Sequence, residues 1–217
     1  MKTRPVVPPV ALALLLFAGG ARAESPLPPA APQTGYSAQY RVTFDGQTGP
    51  GKYSSFADTV DIWVSGSRLR QESRIVDFPK IVIVDVARRE VLEFEPEDET
   101  KTLQVFELGE MPVVYVTGSS VFEDFGAPVA QGEEKVAGKR CTVLHYGDPE
   151  DGALACVTAD GIVARARIKK EDWERTWEAL SLKTGAQKDA RFAPPAGFVP
   201  REPAETIEQG PGAPESE

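Results

Sequence analysis

Cys141, His145 and Cys156 stand within "CTVLHYGDPEDGALAC", and the chain has no other cysteine or histidine. Three chemistries use such a set: a metal site, a redox-active thiol pair, or a disulfide with a histidine nearby. Structural zinc takes four ligands, and neither a third cysteine nor a second histidine is present to help complete a shell. A catalytic dithiol usually comes as C-x-x-C, a spacing this chain lacks. The fate of the thiols then turns on the compartment, which the other end of the chain addresses.

Residues 1–23, "MKTRPVVPPVALALLLFAGGARA", combine a short basic start (Lys2, Arg4), an apolar run from Val10 to Phe17, and small residues at Ala21 and Ala23. This is the pattern of a secretory signal cut after Ala23. A bilayer span needs about 20 apolar residues, and this run falls well short, as does every later one. The expectation is an exported, periplasmic protein with no transmembrane segment in the mature chain. Removing Lys2, Arg4 and Arg22 leaves 24 less 3, or 21, basic residues against 33 acidic ones, a formal charge of −12. Such a surface repels nucleic acid and anionic headgroups over about a Debye length, ~10 Å.

In an oxidising compartment two cysteines in a small domain usually pair. "CTVLHYG" and "ALACVTA" flank a turn-forming stretch, so they read as a hairpin. A turn centred on Asp148-Pro149 would set Cys141 directly opposite Cys156, within disulfide reach. Closing that loop would add about 3 kcal/mol. The spacing thus favours a structural disulfide over redox-active thiols or a metal site. His145 is left as an ordinary strand histidine, because a serine hydrolase would need an oriented serine and carboxylate and no G-x-S-x-G occurs. The acidic clusters "EFEPEDE", "GEE" and "EDW" read as solvated turns. No catalytic residue, metal or cofactor is expected.

The elements that must position these residues are strands. "YSAQYRVTF" puts Tyr36, Ala38, Tyr40, Val42 and Phe44 on one face, and "FADTVDIWV" does the same with Val60, Ile62 and Val64. "KIVIVDVA" is apolar on both faces, as a doubly covered strand would be. "SRLRQESRI", "EVLEFEP", "KTLQVFEL", "EKVAGKR" and "IVARARI" follow the same logic, the last after the Asp160-Gly161 hairpin signal. "SSVFEDFGAP" reads as a short helix, with Ser120 and Glu123 in capping-box spacing. Over residues 173–182 helical and strand periodicities compete, and the second half favours a strand. Residues 24–35 form a flexible proline-rich lead-in, 36–198 one β domain, and 199–217 a disordered acidic tail.

From residue 138 onward the order "GKRCTVLHY", "ACVTADGIVARARI", "WEALSLKTGAQKDARFAPPAGF" resembles the closing third of exported bacterial proteins with a lipoprotein-carrier-like fold. It is most similar to an uncharacterised branch of that superfamily. There a strand after "G-x-x-C" is disulfide-linked to "C-V-T-x-D-G", and the domain closes on a segment matched here by Phe192, Pro195, Gly197 and Phe198. The resemblance implies a mainly β fold: a strongly curved antiparallel sheet forming an unclosed barrel, with one or two short helices on its concave side. It also implies a lipid or a lipoprotein acyl chain as ligand, though none of the family's ligand contacts transfers by position.

Trp63, Phe122, Phe125 and Trp177 are the candidates to line such a hollow, core packing being the other role open to them. Arg165, Arg167 and Lys169 form one basic stripe and Arg68, Arg70 and Arg74 another, expected to meet cross-strand carboxylates. The expected function is non-catalytic binding or carriage of an apolar ligand. The alternative is an envelope structural or interaction protein with a solid core and a protein partner.

Overall fold

The computed structural model describes residues 27–49, 51–73, 79–107, 119–148 and 150–200. The expected leader, residues 24–26, Arg74 and the tail from 201 onward lie outside them. Twelve strands form a single sheet: β1 (Tyr36–Gly49), β2 (Lys52–Ser65), β3 (Arg68–Ser73), β4 (Lys80–Asp85), β5 (Glu90–Phe94), β6 (Thr102–Glu107), β7 (Val129–Val136), β8 (Lys139–Gly147), β9 (Gly152–Thr158), β10 (Val163–Lys169), β11 (Trp173–Thr184) and β12 (Val199–Pro200). Their spatial order is β12-β6-β5-β4-β3-β2-β1-β11-β10-β9-β8-β7, an open sheet whose two outermost strands do not pair. Every neighbouring pair is antiparallel except β12 on β6. Two 3-10 helices complete the described chain, η1 (Ser119–Phe125) and η2 (Asp189–Phe192).

Period-two patterning decides the faces. Tyr36, Ala38, Tyr40, Val42 and Phe44 are all buried on one side of β1, joined by Val60, Ile62 and Val64 of β2. This inner face carries the main core, which runs without a break through Val82, Val91, Leu144, Tyr146, Ala155, Ala166 and Trp177. Tyr36, Ala155 and Ala166 reach 0 % exposure although η1 is the one described helix packed against the main core. A single sheet hides its own face so well only by wrapping around it. Alanines at 153, 155, 164, 166 and 179 leave room for that curvature, and large rings from elsewhere fill the space they leave.

The outer face holds a second, smaller core: Ile81, Ile83, Phe94, Leu103 and Phe192, with Trp63, Leu92 and Phe198 against them. β4 is therefore apolar on both sides, as its sequence required. Phe192 comes from η2 on this outer face, while η1 lies on the concave side, where the resemblance implies one or two short helices. The C-terminal segment buries its two phenylalanines on the apolar outer surface that β2 to β6 offer.

Three local features set the geometry. The β8–β9 hairpin pairs Val143 with Cys156 and Cys141 with Thr158, two residues off the register expected from sequence, because Gly147 lies opposite Gly152 and the pairing is centred one residue further along. The cysteines are still bonded, as diagonal neighbours with Cα atoms 5.3 Å apart; strand twist shortens one diagonal of the ladder. The β9–β10 turn closes through Gly161 N–H to the Thr158 carbonyl at 2.9 Å, while Thr158 Oγ1 accepts from Ile162 N–H. In β11 the register slips at Leu180, between Ala179 opposite Tyr40 and Ser181 opposite Gln39. Before this bulge the inward positions are Trp173, Arg175, Trp177 and Ala179; beyond it Leu182 faces in. That change of phase explains why no single period fitted residues 173–182.

Candidate functional site

Antiparallel order decides which groups share an end of the sheet. The C-terminal ends of β1, β8 and β10 and the N-terminal ends of β2, β9 and β11 lie together, opposite the end where β1 begins at Tyr36. At that opposite end the lead-in folds across the sheet: Gln33 N–H donates to the Asp160 carbonyl at 2.8 Å, and Ala31 sits so close to Gly161 that no side chain fits there. The first end, termed the mouth, gathers aromatic rings.

Phe44 stacks on its cross-strand partner Phe56 with centroids 5.6 Å apart, and on Trp173 at 6.2 Å. Phe56 is 41 % exposed; Tyr53, 68 % exposed further along the same arm, points to the opposite face, where its hydroxyl donates to Asp45. Gly46 opposes Trp173, and a Cβ there would collide with the Trp173 backbone and Cβ. Glycine at 46 is what lets the indole approach. Gln47 N–H to the Asp172 carbonyl at 2.9 Å fixes the same crossing.

Arg175 sits amid these rings. It faces inward from β11 between Trp173 and Trp177, with Phe44 of β1 on one side and Ile168 of β10 on the other. Its guanidinium carbon lies 5.4 Å from the Phe44 centroid and 5.7 Å from that of Trp177. Its Nε is buried without a hydrogen-bond partner. Burial pulls its pKa below the usual arginine value, though a guanidinium still holds its proton at neutral pH. On the same rim Lys170 lies 4.6 Å from the Phe125 centroid and pairs with Asp151 at 2.5 Å.

The candidates named from sequence divide between the faces. Phe122 is wholly buried, 5.5 Å centroid to centroid from Tyr146. Trp177 is 6 % exposed within the same core, and Phe125 packs on its edge beside the mouth. Trp63 lies on the outer face under the C-terminal segment, with the Arg191 guanidinium 4.4 Å from its ring centroid. The pleat decides this, since Trp63 alternates with the inward-facing Ile62 and Val64. His145 is half-buried on β8, opposite Leu154 and Val129.

The basic stripes meet acids. Arg165 pairs with Glu134 and Lys169 with Glu150; Arg68 pairs with Asp189 at 2.5 Å and Arg70 with Glu72 at 2.7 Å. Among the described residues no cluster of His, Cys, Asp and Glu could hold a metal ion, and no helix is long and apolar enough to cross a membrane. Two surface depressions of about 310 Å³ lie away from the four candidates. One, lined by Lys80, Glu93, Asp98 and Gln104, is polar; the other is a furrow along β9 to β11 beside Arg165 and Arg167.

Sequence reasoning missed Arg175, Phe44, Phe56 and Trp173 as a group. The one local signal was Trp-x-Arg-x-Trp at 173–177, which on a strand puts all three on one face.

No protein family and no curated protein matches the chain. Solved structures do. An uncharacterised conserved protein from Thermus thermophilus is similar at a TM-score of 0.51 and 11 % identity, covering 78 % of this chain and 91 % of that one. The likeness is one of fold. A LolA superfamily protein from Nitrosomonas europaea aligns at a TM-score of 0.40 and 10 % identity over 75 % of this chain and 91 % of its own. MucB of Pseudomonas aeruginosa, solved with MucA, aligns at 0.41 and 15 % identity over 76 % of this chain and 56 % of that one.

Proposed function

We propose that the protein is an exported, non-catalytic binding protein of the cell envelope that takes an apolar ligand at the mouth of its sheet. One observation carries this reading. Phe122 and Trp177, the rings best placed to line a hollow, are buried in the core, while Phe56 at the mouth, stacked on Phe44, stays 41 % exposed. A wholly buried phenylalanine contributes about 1.5–3 kcal/mol, so emptying the interior to admit a chain would be costly. Contact at the mouth needs no such rearrangement. The fold resemblance supports a carrier-like role, with the ligand resting on the rim.

Native mass spectrometry of the protein purified from its own periplasm tests this. A rim-bound ligand exchanges, so dialysed protein should be free of lipid and regain it on addition. An acyl chain that survives dialysis in stoichiometric amount would overturn rim binding in favour of an enclosing carrier. The envelope-interaction alternative finds its support in β7, an edge strand exposed over all but its last residue. Such an edge can accept a strand from a partner, and capture of one stoichiometric protein with no lipid would favour it.

A further inference from the structure

Among the described residues no carboxylate pairs with Arg175, in a chain rich in acid. The formal charge is −9, and the neighbouring Lys169 and Lys170 each pair with a carboxylate. Among the described residues none pairs with Arg175, and its Nε is enclosed. Its four nearest positions in the sheet are apolar: Phe44, Ile168, Trp173 and Trp177. Buried polar donors are nearly always satisfied, and a charge removed from water without a partner is unfavourable. Stacking on two rings returns part of that energy. It leaves the hydrogen-bonding capacity unused, with Nε enclosed and unpartnered while the terminal nitrogens are not enclosed. Those nitrogens present the planar fork that suits a carboxylate or phosphate.

We propose that Arg175 anchors the oxyanion of an amphiphile, a carboxylate or phosphate joined to an apolar chain, whose apolar part lies along Phe44, Phe56 and Trp173. The site rests on the mouth-binding reading and names the ligand's chemistry. The anion completes the ion pair in a partly dry setting, where charge-assisted hydrogen bonds are stronger than in water. Phe56 and the part-exposed Trp173 take the chain, so the charged and the apolar parts of the ligand each add to the affinity. Both laurate and dodecyl phosphate carry this chemistry and serve as separate probes.

The test uses the mature full-length chain with Trp63→Phe. Of the three tryptophans, Trp173 and Trp177 then remain as reporters beside Arg175. Each probe is titrated below its micelle concentration while indole emission is followed, with uncharged monolaurin and inorganic phosphate as comparisons. Laurate or dodecyl phosphate should saturate the signal at least tenfold more tightly than monolaurin, and inorganic phosphate should leave it unchanged. The tighter of the two charged probes identifies the anion as carboxylate or phosphate. Adding Arg175→Met should abolish the tenfold preference while monolaurin binding persists. Equal binding of laurate, dodecyl phosphate and monolaurin would overturn the anion site yet leave mouth binding intact. Failure of all three amphiphiles would remove both.

Discussion

Arg175 and Phe44 are direct cross-strand partners, with the guanidinium carbon 5.4 Å from the ring centroid and Nε buried without an acceptor. The pair has opposite consequences for stability. Phe44 is a core ring, and Phe44→Ala should cost about 3–5 kcal/mol. Arg175→Met forfeits two cation–π contacts of about 0.5–1 kcal/mol each but relieves an unsatisfied donor worth about 1–3 kcal/mol. The variant should therefore lie between about 1 kcal/mol less and about 2 kcal/mol more stable than the native chain. Urea midpoints measure both. A loss above ~2 kcal/mol for Arg175→Met would make the arginine a structural strut.

The outer core predicts where the C-terminus matters. Phe192, 8 % exposed, packs on Ile81, Ile83, Phe94 and Leu103, with the Arg68 guanidinium carbon 4.9 Å from its centroid. Phe192→Ala should lose about 3–5 kcal/mol, a large share of a typical 5–15 kcal/mol. Deleting residues 201–217, a proline- and glutamate-rich stretch, should leave the melting temperature almost unchanged. Equal sensitivity of the two variants would contradict this division.

The diagonal cysteine bridge makes a separate prediction. Cys141 is 2 % and Cys156 0 % exposed, so alkylation of native, unreduced protein should add no label. Replacing both with serine should cost about 2–4 kcal/mol without altering emission changes at the mouth. Two labelled thiols in native protein would refute the bridge.

Asp98 organises the β5–β6 turn, accepting from Thr100 N–H at 2.9 Å and from the Thr100 and Thr102 hydroxyls at 2.8 and 2.9 Å. The Thr100 hydroxyl bond leads these contacts in lowering its pKa to about 2, from 3.8. A depressed carboxylate stabilises above its unfolded pKa, and the contribution fades as pH falls from about 4 toward 2. Protection of the Thr100 and Thr102 amides against exchange, relative to their intrinsic rates, should fall across that window, with the carboxyl titrating near its lower edge by NMR. An ordinary titration near 3.8 would remove the turn's special status. The turn also bears on the C-terminus, because Lys101 C=O accepts from Val199 N–H at 3.0 Å where β12 joins β6.

Much of this architecture was legible in the residues. Tyr36 to Phe44 announced their inward face by strict alternation, Ile81 to Val84 their double burial, and Ser119–Phe125 its helical turn. What stayed hidden depends on register and on distant partners. A β8–β9 pairing centred one residue later than Asp148-Pro149 moved Cys141 from Cys156 to Thr158, and one bulged residue at Leu180 shifted the phase of β11. Trp63 looked like Trp177 in sequence, but their faces depend on which neighbours are buried. Arg175 was hidden most fully, since its meaning lies in the carboxylate that is not beside it.

The central claim is that ligand is held at the mouth while the interior stays filled. Chemical-shift mapping of isotope-labelled protein against laurate tests it most directly. The account predicts saturable shifts at the Trp173 and Trp177 indoles, the Phe44 and Phe56 amides and the Arg175 side chain, with Ala155, Ala166 and Tyr36 unmoved. Shifts spreading through Ala155, Ala166 and Tyr36 would mean that the chain is swallowed, and none anywhere would mean that this sheet binds no such amphiphile.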